Sequence, residues 1–142
     1  MPELPEVETL CRQLQKKIAG KKILLVDDEQ DVIQTLVEVL NMCRIDTATS
    51  YDEAKEFLEK DNYDVVVLDI MGVMGFDLLK IAEKKKFPTI MLTAHGFSKE
   101  NLRRSAEIGA VYYVPKEEMG RIKVFIADVI EAKEKNFSPS RE

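Results

Sequence analysis

Acidic, hydroxyl and ammonium side chains follow four short apolar runs of this sequence. In chain order they are Asp27 and Asp28, Asp69, Thr93 and Lys116. If the runs are neighbouring parallel strands, their carboxyl ends lie along one edge of the sheet, which is where open α/β folds place their ligands. Clustered carboxylates can hold a hard cation such as Mg²⁺, and a hydroxyl with an ammonium group can hold an oxyanion. The pattern therefore predicts a phosphoryl-handling site.

Each of these residues also has a simpler interpretation. Asp27 or Asp28 could cap the helix that follows; a lysine is most often a surface residue, and Thr93 could be a strand-end hydroxyl. A cap does not account for three acids at adjacent strand ends, because like charges raise one another's pKa unless a cation neutralises them. The joint placement of these residues supports the prediction more than any single one does.

The elements that must position these side chains alternate between strand and helix. The predicted strands are Lys22–Val26, about Ile45–Ala48, Val65–Leu68, Thr89–Leu92 and Val111–Val114. Amphipathic stretches lie between them, and Ser50 with Glu53 three residues later forms a capping-box pattern. Five such units predict an α/β fold with a doubly wound five-stranded parallel sheet, flavodoxin-like in its order 2-1-3-4-5.

Residues 1–20 stand apart as a predicted extra N-terminal helix. Pro5 suits its first turn and Gly20 its end. Apolar residues recur every three or four positions, at Leu4, Val7, Leu10, Leu14 and Ile18. Such a stripe needs cover from the domain itself or from a second copy, which gives the hypothesis of a homodimer. The predicted division is an appended helix at 1–20, a domain at 21–134 and a polar tail at 135–142.

Composition places the chain among ordinary globular proteins of one-domain length. Its 142 residues carry 21 basic and 26 acidic side chains, and the net charge of −5 argues against a general nucleic-acid binder. No apolar run approaches the roughly 20 residues of a membrane span, and the acidic start lacks the order of a secretory signal. Cys11 and Cys43 have no metal-ligand spacing, so we expect reduced thiols in a cytoplasmic protein.

In combination, the motifs resemble the receiver domains of two-component response regulators. KKILLVDDE, VVVLDI, GFDLL, IMLTA and the lysine after VYYV occur in the family's order over residues 21 to about 134. The resemblance implies that Asp69 accepts a phosphoryl group from a histidine kinase or a phosphotransfer protein. It also implies Mg²⁺ as the cofactor, bound directly by Asp28 and Asp69, through water by Asp27, and by the backbone carbonyl of Met71.

The same resemblance assigns the remaining site residues. Thr93 would hydrogen-bond the phosphoryl group and Lys116 would pair with it, while Tyr113 and Ala94 would form the switch that moves with Thr93. The chain would assist its own Mg²⁺-dependent phosphorylation and dephosphorylation without being a conventional turnover enzyme. We expect a separate effector protein and no direct binding of nucleic acid, because only a short polar tail follows the last predicted helix.

Two features depart from the family's pattern. The segment between Asp69 and Gly75 is shorter and lacks the usual proline, and Lys116 is followed by Glu117, with Pro115 before it. Because a cis bond without proline costs about 2.5–4 kcal/mol, we expect a trans bond after Lys116 and an altered loop after the fifth strand. The shortened segment keeps a phosphorylation-independent interaction module as the alternative function.

Two enzyme classes are further alternatives. A phosphatase of the haloacid dehalogenase type needs a second acid two residues after its nucleophile, and this chain has Met71 there. The start, MPELPEVETL, resembles formamidopyrimidine-DNA glycosylases, in which Pro2 would be the nucleophilic amine and Glu3 would assist. That match covers only about twenty residues, and one helix offers no pocket for a flipped base, so we expect no glycosylase activity.

Overall fold

A computed structural model of the protein describes residues 13, 15–69, 75–93 and 99–136. Within these ranges, parallel strands alternate with helices. The strands are β1 Lys22–Val26, β2 Arg44–Ala48, β3 Val65–Asp69, β4 Thr89–Thr93 and β5 Tyr112–Pro115. The helices are α1 Gln30–Val39, α2 Tyr51–Lys60, α3 Gly75–Lys84, α4 Lys99–Ile108 and α5 Ile122–Asn136. A 3₁₀ helix, Lys116–Arg121, joins β5 to α5.

The five strands form one parallel sheet in the order β2-β1-β3-β4-β5. Asp69 of β3 pairs with Leu92 of β4, and the next residue, Thr93, pairs with Pro115 of β5. The ends of β1 and β3 also lie side by side. This topology confirms the predicted doubly wound, flavodoxin-like fold and brings the four polar strand ends to one edge.

Helices cover both faces of the sheet. Ile23 and Leu25 of β1 face a core formed with α1 and α5, whereas Leu24 and Val26 face a second core formed with α2 and α3. Every residue of β3 and of β4 is buried. Strands covered on both faces need apolar residues on both faces, which explains why the apolar runs within these strands are continuous and do not alternate.

Two strands extend slightly further than the sequence predicts. β3 includes Asp69 and β4 includes Thr93, while β5 is shifted by one residue to Tyr112–Pro115. Pairing with the neighbouring strands continues through these positions. The backbone of both polar residues is therefore held by the sheet and not by a loop.

The start of α1 differs from the interpretation that Asp27 or Asp28 is its cap. Its N-cap residue is Glu29, which makes no side-chain capping hydrogen bond. That interpretation is wrong, and both acids are left for another role. The cap of α2 is confirmed, because Oγ of Ser50 accepts the N–H of Glu53 at 3.3 Å.

The helical residues before β1 pack into the domain's own core. Residues 15–18 are helical, and Ile18 is fully buried in the core formed with α1 and α5. Sγ of Cys43 donates a hydrogen bond of 3.3 Å to the carbonyl oxygen of Ile18. Gly20 turns the chain into β1 with a φ of 76°, a conformation that glycine adopts without strain. The stripe residues Leu4, Val7, Leu10 and Leu14 lie outside the described residues.

The helices of the described part are short. α1 to α4 have 10 residues each and α5 has 15. Within the ranges given above, none has the length and apolar character needed to cross a membrane.

Candidate phosphoacceptor and metal site

Asp27 lies directly after β1 and is fully buried. Its Oδ1 accepts the backbone N–H of Glu29 at 2.8 Å. Its Oδ2 has no hydrogen bond of regular geometry among the described residues, although Nζ of Lys116 lies 3.2 Å away. A buried carboxylate oxygen left in this state is costly, so it is well placed to bind a cation.

Asp28 and Asp69 complete a cluster of three acids. One carboxylate oxygen from each of Asp27, Asp28 and Asp69 lies within 4.8 Å of the others. Asp69 is buried at the end of β3, whereas Asp28 is exposed. Mg²⁺ binds through one or two carboxylates and keeps several waters, so a cluster that opens to solvent at Asp28 fits this ion. The chemistry of the three oxygens and the lack of a regular hydrogen bond at Oδ2 of Asp27 therefore both suit a divalent cation.

Lys116 supplies the positive charge of the site. It begins the 3₁₀ helix after β5. Its Nζ lies 3.2 Å from Oδ2 of Asp27, 3.5 Å from Oδ1 of Asp69 and 2.9 Å from Oε1 of Glu29. One ammonium group thus serves three carboxylates, and it can exchange one partner for another by small rotations of its flexible side chain.

Burial and charge shift the pKa values of two of these groups. Burial raises the pKa of Asp27 to about 6, and the negative charge of Asp69 acts in the same direction, against the Glu29 N–H and Lys116. Burial alone would lower the pKa of Lys116. The hydrogen bond to Glu29 and the charges of Asp69 and Asp27 outweigh it and raise that pKa above its usual value. Without a metal, the site therefore disfavours the ionised form of Asp27 and favours the protonated form of Lys116.

Thr93 and Tyr113 lie on β4 and β5, the two strands that follow β3 in the sheet. Thr93 is buried at the end of β4, beside Pro115, which directly precedes Lys116. Tyr113 pairs with Met91 of β4. It is half-buried against the core formed with α2 and α3. The predicted metal ligand Met71 and the predicted switch residue Ala94 lie outside the described residues.

Glu29 is a residue of the site that the sequence analysis did not select. Its side chain is 61% exposed, yet its Oε1 is the carboxylate oxygen nearest to Nζ of Lys116. The run of three acids that begins at Asp27 is the only sequence signal for it. Because it is exposed and lies at the opening of the site, Glu29 can hold Lys116 or release it.

A second contact that the sequence did not indicate joins α3 to α4. The guanidinium carbon of Arg104 lies 4.3 Å from the centre of the Phe76 ring. Residues 70–74 connect Asp69 to α3, and residues 94–98 connect Thr93 to α4. The stack therefore links the two helices that follow two of the site's strands.

The bond after Lys116 is trans, as expected, since the described residues contain no cis peptide bond. The loop after β5 is the 3₁₀ helix Lys116–Arg121. Glu118, inside it, has a φ of −110° and a ψ of 22°, so the turn is irregular there. The 3₁₀ helix begins at Lys116, and the side chain of this residue points towards Asp27 and Asp69.

Known proteins resemble this chain in sequence. The family model described as response regulator receiver domain matches residues 23–126. The transcriptional regulatory protein CpxR of Escherichia coli is 36% identical over 100 residues, which cover 67% of this chain and 42% of CpxR. The transcriptional regulatory protein ResD of Bacillus subtilis is 36% identical over 115 residues, 74% of this chain and 48% of ResD. The chain thus spans less than half the length of these two relatives.

Solved structures agree with this assignment. A response regulator receiver domain protein from Clostridium thermocellum has a TM-score of 0.71 at 28% identity, covering 80% of this chain and 97% of that one. The receiver domain of Francisella response regulator 1452 has a TM-score of 0.71 at 26% identity, covering 80% and 99%. With a family model across most of its length and a sheet of the same kind, the chain belongs to the response regulator receiver domains.

Proposed function

We propose that this receiver accepts a phosphoryl group on Asp69 and transmits the signal through altered protein contacts. The donor would be a histidine kinase or a histidine phosphotransfer protein, and the receiving effector a separate protein. The observation that supports the proposal is the position of Nζ of Lys116, 3.5 Å from Oδ1 of Asp69, beside three carboxylate oxygens within 4.8 Å of one another. A nucleophile, a cation site and a positive charge are thereby gathered at one point.

In the proposed step, a carboxylate oxygen of Asp69 attacks the phosphorus atom of a phosphohistidine. The new O–P bond forms as the P–N bond breaks, and the electron pair of that bond stays on the imidazole nitrogen. Bound Mg²⁺ would neutralise charge on the phosphoryl oxygens, and Asp27, Asp28 and Asp69 would hold it, with Met71 as the further proposed ligand. The chain's own contribution is to position these groups before the reaction.

Lys116 and Thr93 would stabilise the product. Lys116 already contacts Asp69, and it would leave Glu29 to pair with a phosphoryl oxygen. The hydroxyl of Thr93 would donate to another oxygen from the end of β4. Movement of Thr93 and Ala94 would then shift Tyr113, and the changed surface would alter binding of the effector.

Intact-protein mass spectrometry after incubation with acetyl phosphate tests this proposal. We expect the wild-type chain to gain the mass of one phosphoryl group in the presence of Mg²⁺ and not in EDTA. Asp69→Ala should show no gain, and Asp52→Ala, a change at an exposed acid of α2, should behave as the wild type does. Failure to gain mass from acetyl phosphate and from a phosphorylated phosphotransfer protein would contradict the proposal.

A second function, a phosphorylation-independent interaction module, follows from the shortened segment between Asp69 and Gly75. Retention of the acids, Thr93 and Lys116 argues against it. Mg²⁺ binding separates the two functions, because a module without phosphorylation has no need for the ion. Isothermal titration showing no Mg²⁺ binding, together with no gain in mass, would favour the module.

A further inference from the structure

A groove of about 440 Å³ lies at the amino ends of β4 and β5. Because the strands are parallel, this edge of the sheet is opposite to the one that carries Asp27, Asp69 and Lys116. The end of α3, the residues between α4 and β5, and the later part of α5 form its walls. Its described lining includes Lys86, Phe87, Gly109, Val111, Val129 and Lys133. The groove is therefore a surface separate from the phosphoacceptor site.

Part of the groove's lining is apolar and open to solvent. Val111 is 49% exposed, and it is one of only two large apolar side chains with such exposure in the described part of the chain. Phe87 and Val129, which also line the groove, are buried and belong to the two cores on either side of the sheet. A single exposed valine needs no explanation on a flat surface. Within a concave groove whose other apolar residues are fixed, it offers a contact for an apolar side chain.

The turn that ends α3 places a lysine in this lining at a position that normally carries glycine. The N–H of Phe87 donates to the carbonyl oxygen of Ala82 at 2.9 Å, and the N–H of Lys86 donates to that of Glu83 at 3.0 Å. This pair of bonds is the Schellman pattern, whose left-handed residue is usually glycine. Lys86 occupies that position with a φ of 66°, and no other non-glycine residue of the described ranges has a positive φ. The conformation is unfavourable for a residue with a Cβ, so Lys86 is held there at the expense of stability.

Lysines without an acidic partner surround the groove. Lys86 and Lys133 line it, and Lys80, Lys84 and Lys85 lie on or directly after α3. None of the five forms an ion pair with another described residue. One cation near the end of a helix is favourable, but Lys80 and Lys84 are like charges four residues apart, which weakens a helix. In a chain of net charge −5, the end of α3 is therefore a concentrated positive surface.

The two acids in the described lining have other contacts. Asp128 accepts a hydrogen bond from the hydroxyl of Tyr112. The carboxylate of Glu83 packs against Gly109, which has a φ of 141°, and a Cβ at that glycine would clash with it. Neither acid neutralises the lysines of the groove through an ion pair. The charge of these lysines is therefore available to an acidic partner.

We propose that this groove binds an acidic segment of a partner protein. An apolar side chain of the segment packs against Val111, and its carboxylates pair with Lys86 and Lys133. The volume lies within the range of about 300–1,000 Å³ that is usual for ligand pockets, so it suits a few side chains of a segment and not a folded domain. The apolar contact supplies most of the affinity, and the charges select an acidic partner. This inference does not depend on phosphorylation of Asp69.

Fluorescence anisotropy of a labelled peptide, Glu-Leu-Glu-Glu-Leu-Glu, titrated with the full chain tests the proposal. We expect saturable binding of this peptide and none of a peptide in which lysine replaces each glutamate. Lys86→Gln and Lys133→Gln should each weaken binding about two- to fivefold, as expected for the loss of an exposed ion pair. Val111→Asn should weaken it about tenfold, because an apolar contact is lost. Lys55→Gln, a change at an exposed lysine of α2, is the matched control and should keep the affinity.

A glycine at position 86 separates binding from folding. Lys86→Gly should raise the midpoint of urea unfolding, because glycine adopts the left-handed conformation without strain, yet it should weaken peptide binding as Lys86→Gln does. Asp69→Ala should bind the peptide as the wild type does, so the result is independent of phosphorylation. Absence of saturable binding would overturn the proposal, as would equal weakening by Lys55→Gln and Lys86→Gln. Sedimentation showing self-association that Val111→Asn abolishes would also overturn it, because a second copy would then occupy the groove.

Discussion

At the scale of single residues, three carboxylates of the site compete for the ammonium group of Lys116. Lys116 contacts Asp27, Asp69 and the exposed Glu29. The first two are buried and need a cation, and the third is solvated and does not. A phosphoryl group or Mg²⁺ would change this balance, because each brings charge to the buried acids. The resting position of Lys116 is therefore set partly by a residue outside the acid cluster.

Removing the charge of Glu29 should favour phosphorylation. In Glu29→Gln, Lys116 loses its exposed charged partner and keeps its two buried ones, so one carboxylate fewer competes with a phosphoryl oxygen for its ammonium group. An exposed ion pair contributes about 0.2–1 kcal/mol, so we expect the rate of phosphorylation by acetyl phosphate to rise up to about fivefold. Stopped-flow or mass-spectrometric rates would measure this. Glu56→Gln, a change in an exposed pair on α2, serves as the control, and a slower rate in Glu29→Gln would contradict this role.

Cys43 should react slowly with thiol reagents. Burial raises the pKa of its thiol from 9.0 to about 11, against the charge of Lys123. In a Cys11→Ser variant, alkylation at pH 8 should be about 100-fold slower in the native protein than in the unfolded chain, because only the thiolate reacts. Between pH 9 and about 11 the native state retains a proton that the unfolded state has lost, so stability falls as the pH rises. Equal alkylation rates would show that the thiol is exposed.

At the scale of secondary structure elements, α3 and α4 are joined by the stack of Arg104 on Phe76. Each helix follows a segment that begins at a residue of the site, Asp69 or Thr93. α4 carries a polar sequence, and the stack is a contact that joins it to α3. The position of α4 should thus be sensitive to a change at one residue.

Arg104→Ala should loosen α4 more than it destabilises the whole domain. A cation–π contact at an exposed site contributes about 0.5–1 kcal/mol, and we expect urea denaturation to show a loss of that size. Hydrogen exchange should accelerate within Lys99–Ile108 and stay unchanged in β1. Arg103→Ala removes the neighbouring exposed arginine and is the matched control. Equal effects of the two variants would show that the stack does not position α4.

At the scale of the whole molecule, metal binding and folding are linked through the acid cluster. The sheet brings Asp27, Asp28 and Asp69 together at one edge, and folding therefore places like charges close to each other. The energy for this comes from the two apolar cores on either side of the sheet. A ligand that binds only the native state raises the free energy of unfolding and so offsets part of this charge repulsion.

Asp27→Asn should raise stability in EDTA and lower the response to Mg²⁺. The amide keeps an acceptor for the Glu29 N–H but carries no buried charge, so we expect a gain of about 1–3 kcal/mol in the metal-free protein. Thermal unfolding should show that Mg²⁺ stabilises the wild type and stabilises the variant much less. Asp52→Asn, at an exposed position, should respond to Mg²⁺ as the wild type does. A Mg²⁺ response that is unchanged in Asp27→Asn would exclude Asp27 from the metal site.

The sequence alone determined the fold and the membership of the acid cluster. Continuous apolar runs such as Val65–Leu68 are typical of strands buried on both faces, and the carboxyl ends of parallel strands must share an edge. Positions of Asp27, Asp69 and Lys116 at that edge follow directly from where the runs end. These features depend on the apolar runs and on the polar residues at their ends, both of which can be read directly from the sequence.

Only the tertiary structure decided which side chains meet across the chain. The contact of Glu29 with Lys116 joins residues 87 positions apart, and the stack of Arg104 on Phe76 joins two helices. The apolar stripe that includes Ile18 could have been covered by the domain itself or by a second copy, and the structure shows that the domain's own core covers Ile18. Long side chains on different elements can adopt many rotamers, and no periodicity in a sequence states which of them converge. Their partners are set by the distances and angles at which the sheet and its helices pack.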